Sequence, residues 1–83
     1  MKYVLIEAIE REISTPSYYD SHENAHREMC LRFAEVMDDT IEAVTESYLE
    51  GEEYDDNAVI LYDSAYCERH GNNFDWKIFP CLF

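Results

Sequence analysis

One amphipathic stretch, residues 21–49 (SHENAHREMCLRFAEVMDDTIEAVTESYL), constrains the fold of this chain more than any other segment. Its apolar side chains recur at spacings of three and four residues, as they do along a helix that buries one face. They are Ala25, Met29, Phe33, Val36, Met37, Ile41, Val44 and Tyr48. Because Thr40 is not a strong helix breaker, the pattern predicts a single long helix that stops at Gly51.

Three other segments have the β-branched and aromatic composition of strands. They are residues 2–10, 58–67 and 74–82. Residues 11–20 are predicted to connect the first strand to the helix, and residues 69–73 (RHGNN) are predicted to form a turn. The element order is β-α-β-β. We therefore predict an α+β fold in which one long amphipathic helix packs on a small three-stranded sheet, within a single domain of residues 1–83.

The charge balance restricts the classes of partner. The chain has 19 acidic and 6 basic side chains, which give a formal net charge of −13. Repulsion from phosphates disfavours direct binding to nucleic acid or to an anionic membrane, so the natural partner is a basic protein surface. No apolar run approaches the ~20 residues needed to span a bilayer, and no signal peptide is recognisable. We therefore expect an intracellular protein.

Acidic side chains form a second pattern on the opposite side of the predicted helix, and they continue into the loop 50–57 (EGEEYDDN). The candidate partner-binding residues are Glu35, Asp38, Asp39, Glu42, Glu46, Glu50, Glu52, Glu53, Asp55 and Asp56. Such a surface can occupy a groove lined by Lys and Arg and displace nucleic acid from it. The alternative is a solvated face that keeps a small protein soluble, although uncompensated charge destabilises the compact state.

Histidine and cysteine residues give a third pattern. His22, His26 and Cys30 recur every four residues along the edge of the apolar side of the helix. Cys67 and His70 are separated by two residues, a spacing with which a tight turn presents two ligands to Zn²⁺. In a β-α-β-β order, the start of the helix and this turn lie at the same end of the domain.

These positions predict a structural zinc site built from His26, Cys67 and His70, with either His22 or Cys30 as the fourth ligand. Four protein ligands would leave no open position for water, and the ion would stabilise a small core. The alternative contains no metal. In that case His26 and Cys30 are core residues, His22 is a solvent-facing residue at the helix cap, and His70 belongs to a turn.

Motifs typical of enzymes are missing from the sequence. It lacks a P-loop, a G-x-G-x-x-G motif and a G-x-S-x-G motif, and its two glycines cannot build a phosphate-binding loop. We therefore expect a protein without enzymatic activity. The alternative of a small metalloenzyme needs an open ligand position and a nearby base, for which Glu23 and Glu68 are the candidates.

The acidic helix face, the acidic loop and the ligand-like residues together give the chain a resemblance to a known family. The residues that carry it are Glu35, Asp38, Asp39, Glu42 and Glu46, the loop 50–57, and His26, Cys67 and His70. The chain resembles the small anti-CRISPR proteins of phages and mobile elements of Gram-positive bacteria, in particular the type II-A inhibitors of RNA-guided DNA nucleases. The resemblance implies a non-enzymatic protein of the host bacterial cytoplasm, which binds the nuclease and keeps guide or target DNA out of its basic channel.

A more general alternative is a protein-interaction module with a solvated acidic face and no metal. It would contact its partner mainly through aromatic and apolar side chains, and salt would change its affinity little. Candidate aromatic anchors beside the acidic residues are Tyr18, Tyr19, Tyr54 and Tyr62.

Overall fold

Six strands and two helices make up the structure, a computed structural model that describes residues 2–51, 54 and 57–81. In chain order the elements are β1 (Lys2–Ile9), β2 (Glu12–Ile13), β3 (Ser17–Tyr19), α1 (His22–Met37), α2 (Ile41–Glu50), β4 (Ala58–Ile60), β5 (Ser64–Arg69) and β6 (Asn72–Cys81). The strands form one antiparallel sheet in the order β2-β1-β6-β5-β4, and β3 also pairs with β1. The fold is α+β, but the predicted β-α-β-β arrangement, with one long helix on a three-stranded sheet, is wrong.

The predicted long helix is interrupted between its two halves. Asp38 adopts a left-handed backbone conformation (φ 56°, ψ 45°), and its N–H donates to the carbonyls of Ala34 and Glu35, which ends α1. Thr40 then caps α2, because its Oγ1 accepts a hydrogen bond of 3.2 Å from the N–H of Ala43. The apolar spacing continues across the break because both helices contribute side chains to the same core.

The predicted connector, residues 11–20, contains two short strands that pair with β1. Ile13 lies opposite Ala8, and Tyr18 lies opposite Val4. The chain therefore returns to the starting end of β1 before α1 begins. As a result, α1 runs in the direction opposite to the one predicted.

The reversal after β1 depends on a two-residue turn at Glu10 and Arg11, both of which have positive φ values (50° and 71°). The N–H of Glu10 donates to the carbonyl of Asn73 at 2.9 Å. The carboxylate of Glu10 accepts a hydrogen bond from the N–H of Asn73. These bonds to β6 hold a turn that contains none of the Gly, Asn or Asp residues typical of such a conformation.

The predicted second strand, residues 58–67, is divided into β4 and β5 by a turn. The N–H of Leu61 donates to the carbonyl of Ser64 at 2.7 Å and closes this turn. This segment therefore supplies two strands to the sheet, where one was predicted.

The predicted turn at residues 69–73 is confirmed as a tight connection between β5 and β6. His70 and Gly71 occupy it with φ values of 54° and 81°, a conformation that glycine adopts without steric cost. The strand that follows, β6, begins two residues before the predicted third strand (74–82), and the last residue of that prediction lies outside the described residues.

The core lies between the helices and one face of the sheet. Its largest fully buried side chains are Leu5, Met29, Phe33, Val44, Cys67 and Trp76. The rings of Phe33 and Trp76 have centroids 6.0 Å apart, and the Trp76 Nε1–H donates to Glu7 Oε1 at 2.9 Å. Each large apolar side chain buried here contributes about 1.5–3 kcal/mol to the stability of the fold.

Both helices belong to one core cluster, so they lie on the same face of the sheet, and we call them the helical layer. The side chains on the other face of the sheet, which we call the outer sheet face, include Val4, Ile6, Ala8, Ile13, Tyr18 and Phe79. Across the described residues, no helix covers this face. Neither α1 nor α2, the helices of the described segments, has the length and apolar composition needed to cross a membrane.

Candidate functional site

Helix α2 carries acidic side chains on its solvent-facing side. Glu42, Glu46 and Glu50 follow one another at intervals of one helical turn, about 6 Å along the axis, and we call them the α2 acidic row. All the helix acids predicted to bind a partner are exposed: Glu35, Asp38, Asp39, Glu42, Glu46 and Glu50. The two aspartates lie at the corner between the helices, so the negative surface continues from the end of α1 onto α2.

The acidic loop after α2 is only partly described. Glu52, Glu53, Asp55 and Asp56, which were predicted to extend the acidic surface, lie outside the described residues. Gly51 ends α2 in a left-handed conformation (φ 72°), as predicted. Tyr54 packs edge-on against Phe33, with ring centroids 5.1 Å apart, so the loop contacts the core at this point.

Few positive charges lie near the α2 acidic row. The chain contains no Lys or Arg between Arg32 and Arg69. Arg32 lies 3.7 Å from Glu7 and 4.0 Å from Glu28, and Arg69 donates to the carbonyl of Met37 at 2.7 Å. In the part of the chain that the structure describes, no ion pair involves the α2 acidic row. Arg27 on α1 borders a groove with Ile41, Thr45 and Leu49 of α2, but it forms no ion pair with the row in the described residues. The row is therefore a negative surface without an ion-paired partner.

Asp39 is held in its charged form by two hydrogen bonds. The hydroxyl of Tyr54 donates to one carboxylate oxygen, and the N–H of Thr40 donates to the other at 2.8 Å. These bonds, that of Tyr54 first, lower the pKa of Asp39 because they favour the carboxylate. The two bonds therefore favour the carboxylate form of Asp39 over its protonated form.

An exposed apolar strip, which consists of Leu49, Leu61 and Tyr62, adjoins the end of α2. These side chains are 76%, 53% and 62% exposed, and they border a shallow groove between α2 and the β4–β5 turn. The strip was not predicted as a surface, because residues 58–67, which include Leu61 and Tyr62, have the composition of a continuous strand. Asp63 and Ser64, which favour turns, were the signal that the strand is interrupted.

The predicted aromatic anchors are distributed over several surfaces. Tyr18 is 57% exposed on the outer sheet face. Tyr19 and Tyr54 are partly buried and pack against the core. Of the four predicted anchors, Tyr62 is the one that belongs to the apolar strip beside α2.

The start of α1 carries a small hydrogen-bonded cluster. His22 Nε2 lies 3.0 Å from Asp63 Oδ1. His26 Nε2 donates to the carbonyl of Leu61 at 3.1 Å, and His26 Nδ1 lies 3.6 Å from the Cys30 thiol, which donates to it. The cluster fastens α1 to the β4–β5 turn, and both ring nitrogens of His26 are occupied.

Burial sets the protonation of this cluster. Desolvation lowers the pKa of His26, and the hydrogen bond to the Leu61 carbonyl opposes that effect only in part. Burial also raises the pKa of the Cys30 thiol to about 11. Near neutral pH these shifts favour the uncharged His26 ring and the protonated Cys30 thiol, the forms in which both side chains pack with the least desolvation cost.

His22 and His70, two of the predicted zinc ligands, lie at opposite ends of α1. At its start, His22 contacts Tyr3 near the beginning of β1, with ring centroids 5.7 Å apart. At its end, the β5–β6 hairpin is bound to α1, because Arg69 donates to the carbonyl of Met37. The 16 residues of α1 separate these contacts, a distance of about 24 Å. The predicted convergence is wrong because β2 and β3 return the chain to the start of β1.

The two ligands predicted in the hairpin do not face a common site. Cys67 is fully buried in the core, and burial raises the pKa of its thiol to about 11. His70 is exposed in the tight turn. Among the described residues, no group of three or more His, Cys, Asp and Glu side chains is arranged to hold a metal ion. The residues His26, Cys67 and His70 therefore do not assemble the predicted centre.

Comparisons of the chain with protein-family models, with curated proteins and with solved structures gave no match. The resemblance to anti-CRISPR proteins therefore stays a prediction, and function is inferred from the surfaces of the molecule. The strongest candidates for contact with a partner are two neighbouring surfaces. One is the acidic row on α2, and the other is the apolar strip beside the end of that helix.

Proposed function

We propose that the protein is a non-enzymatic inhibitor of a nucleic-acid-handling protein, which binds a basic surface of its target through the α2 acidic row in the bacterial cytoplasm. The target implied by the resemblance is a type II CRISPR effector nuclease, whose nucleic-acid channel is positively charged. Zinc is left out of this proposal, because the described residues contain no group of three or more His, Cys, Asp and Glu side chains arranged to hold a metal ion.

The observation that carries the proposal is a negative helix face without compensating charge. Glu42, Glu46 and Glu50 are exposed, and the four-residue spacing of like charges occurs twice in this row. Each such pair destabilises a helix by about 0.2–0.5 kcal/mol. A row of charges that lowers the stability of its own helix supports a role in binding.

The α2 acidic row would inhibit by occupation of the target surface. Lys and Arg side chains that bind its carboxylates are not available to phosphates. Complementary charge would also accelerate the encounter between the proteins. Exposed charge pairs contribute only about 0.2–1 kcal/mol each, so the neighbouring Leu49, Leu61 and Tyr62 would add the apolar contact area that a stable complex requires.

Binding of the purified protein to a guide-free type II CRISPR effector nuclease, measured over a salt series, tests the proposal. The affinity of the wild type should fall between about 0.05 and 0.5 M NaCl, because salt screens exposed charges. The combined variant Glu42→Gln, Glu46→Gln and Glu50→Gln should bind about tenfold more weakly at low salt, and its affinity should depend less on salt.

The matched control replaces three exposed glutamates outside α2, as Glu12→Gln, Glu23→Gln and Glu68→Gln. It changes the net charge by the same amount and should retain wild-type affinity to within about twofold. Equal weakening by both variants would assign binding to overall charge and not to α2. The proposal fails if no salt-sensitive binding occurs to this nuclease or to a panel of helicases and repressors.

The exposed apolar strip favours a second candidate function, a general protein-interaction module with a solvated acidic face. Leu49, Leu61 and Tyr62 would then form the contact, and the α2 acidic row would only maintain solubility. Binding of this kind would be nearly independent of salt, and Leu61→Ser would weaken it far more than Glu46→Gln. The same salt series therefore distinguishes the two candidates.

A further inference from the structure

The outer sheet face carries a contiguous apolar surface. Val4 on β1 lies opposite Phe79 on β6 and opposite Tyr18 on β3. Ala8, four residues further along β1, lies opposite Ile13 on β2. Because side chains alternate along a strand, all of these residues point away from the helical layer.

Much of this surface is open to solvent. Ile13, Tyr18 and Phe79 are 71%, 57% and 44% exposed. Ile6 lies between the residues of this set and borders the same shallow groove as Ile13 and Phe79. The sequence of β1, KYVLIEAI, is apolar on both faces, which is typical of strands that are covered on both sides. Exposed apolar surface of this kind marks an interaction site.

The charged side chains of the outer sheet face are Lys2, Lys77, Glu68 and Asp75, with Glu10 at its edge, so positive and negative charges nearly cancel. Asp75 and Lys77 lie opposite Ala8 and Ile6 on β1, and Lys77 Nζ is 6.0 Å from the centroid of the Phe79 ring. A chain with a net charge of −13 repels its own copies. A second copy can approach this nearly neutral face, whereas the acidic helical layer would resist it.

We propose that the outer sheet face is the interface of a symmetric homodimer in which two copies pack sheet on sheet. Packed sheets lie about 10 Å apart, which already exceeds the Debye length of ~8 Å at physiological salt. The two helical layers then lie further apart on opposite outer surfaces, where their charges are screened from each other. A two-fold axis also lets Asp75 of each copy meet the partner's Lys77.

The dimensions of the molecule are compatible with this interface. Its two longer extents are 37 and 29 Å, and its thickness is 16 Å. A broad face of this size accommodates the ~800 Å² that each partner buries in an interface of standard size. The homodimer is independent of the proposed inhibitory function, because it involves the opposite side of the molecule.

Sedimentation equilibrium of the full chain between about 10 and 300 µM tests the homodimer. The wild type should approach twice the chain mass of 9.9 kDa. Ile13→Lys introduces a charge at the most exposed apolar position of the interface and should raise the dissociation constant at least about tenfold. Leu31→Lys makes a comparable change on α1, where Leu31 is 39% exposed, and should leave the dimer intact.

Two further measurements make the test independent of folding defects in one variant. Tyr18→Lys is a second interface variant, and each variant must retain the circular dichroism spectrum of the wild type. Amide chemical shifts of the unsubstituted protein should change on dilution mainly in β1, β2, β3 and β6. A monomeric wild type at every concentration would overturn the proposal. It is also overturned by dilution shifts confined to α2, or by a dimer that Leu31→Lys disrupts and Ile13→Lys does not.

Discussion

The two broad sides of this molecule place apolar and charged side chains in opposite ways. The helical layer buries Phe33 completely and exposes Glu42, Glu46 and Glu50. The outer sheet face leaves Phe79 44% exposed, and its charged residues nearly cancel. The net charge of −13 is therefore not spread evenly over the surface.

This difference assigns a separate role to each side. Uncompensated charge on the helical layer lowers the stability of the isolated chain and attracts basic partners. Apolar area on the outer sheet face can offset that cost when a second copy covers it. The comparison predicts that equivalent substitutions on the two sides have different consequences.

The largest difference in the free energy of unfolding is expected between two Phe→Ala variants, one on each side of the molecule. Phe33 is fully buried and contacts Trp76, so Phe33→Ala should lower the free energy of unfolding by about 3–5 kcal/mol. Phe79→Ala should lower it by less than about 1 kcal/mol in dilute solution, where the proposed homodimer would dissociate. Urea denaturation followed by the fluorescence of the single tryptophan measures both values. Similar losses in the two variants would contradict the assignment of core and outer face.

The pH dependence of stability is expected to arise partly in the helical layer. Burial lowers the pKa of His26 in the folded state below the ordinary value of 6.5, so the unfolded chain takes up this proton more readily. Above about pH 7.5 the ring of His26 is uncharged in the folded and the unfolded chain, so its burial carries no penalty from protonation. The contribution of His26 to stability decreases as the pH falls through 6.5, and the loss is complete below the folded-state pKa. Thermal unfolding between about pH 5 and pH 8 measures the decrease.

His26→Gln is the control for this titration. Its amide can still donate to the Leu61 carbonyl, but it does not take up a proton in this range. The variant should lose less stability than the wild type between about pH 7.5 and pH 5.5. If the wild type and the variant lose the same amount of stability as the pH falls, protonation of His26 is not the cause of that loss.

A smaller effect on the free energy of unfolding is expected at Arg11, in the turn that joins β1 to β2. Arg11 has a φ value of 71°, a conformation that costs a residue with a side chain about 1–2 kcal/mol. Arg11→Gly should therefore raise the free energy of unfolding by about 0.5–1 kcal/mol, after the greater flexibility of glycine in the unfolded chain is counted. Chemical denaturation measures the change.

The neighbouring variant Glu12→Gly is the matched control for Arg11→Gly. Glu12 is also exposed but lies in extended strand conformation, so glycine there should lower stability by about 0.5–1 kcal/mol. Opposite signs at adjacent positions would confirm that the turn conformation at Arg11 is unfavourable for its side chain. A loss of stability in both variants would contradict the left-handed conformation at that residue.

Apolar spacing predicted which helix residues face the core, but it did not predict where the helix ends. Met29, Phe33 and Val44 are buried as the pattern requires. The break at Asp38 was missed because a second helix with the same buried face continues the spacing. Asp38 and Asp39 followed by Thr40 could have indicated it, since Asp tolerates a left-handed backbone and Thr is a favoured helix cap.

The two tight turns at one end of the sheet show how a local signal controls the predicted topology. His70 and Gly71 contain the glycine that a two-residue hairpin favours, and this turn was predicted. Glu10 and Arg11 have similar backbone angles without that signal, because bonds from Glu10 to Asn73 hold the turn. These bonds join residues far apart in sequence, and local reasoning does not detect them.

The missed turn also explains why the start of α1 was expected to lie beside the β5–β6 hairpin. Without β2 and β3, α1 would begin beside the β5–β6 hairpin, and its histidines would approach Cys67 and His70. The exposed acids of α2 were predicted correctly because their exposure follows from helical spacing alone. The exposed face of one helix can therefore be predicted locally, whereas the proximity of side chains from distant segments requires the correct topology.

Displacement of a fluorescent oligonucleotide from the basic channel of a type II CRISPR effector nuclease is the most direct test of the proposed role of the α2 acidic row. The wild type should displace the oligonucleotide at low salt and lose this ability as salt screens the charges. The variant with Gln at positions 42, 46 and 50 should displace it about tenfold less effectively than the variant with Gln at positions 12, 23 and 68. Equal displacement by these two variants, or displacement that salt does not weaken, would contradict the role assigned to the row.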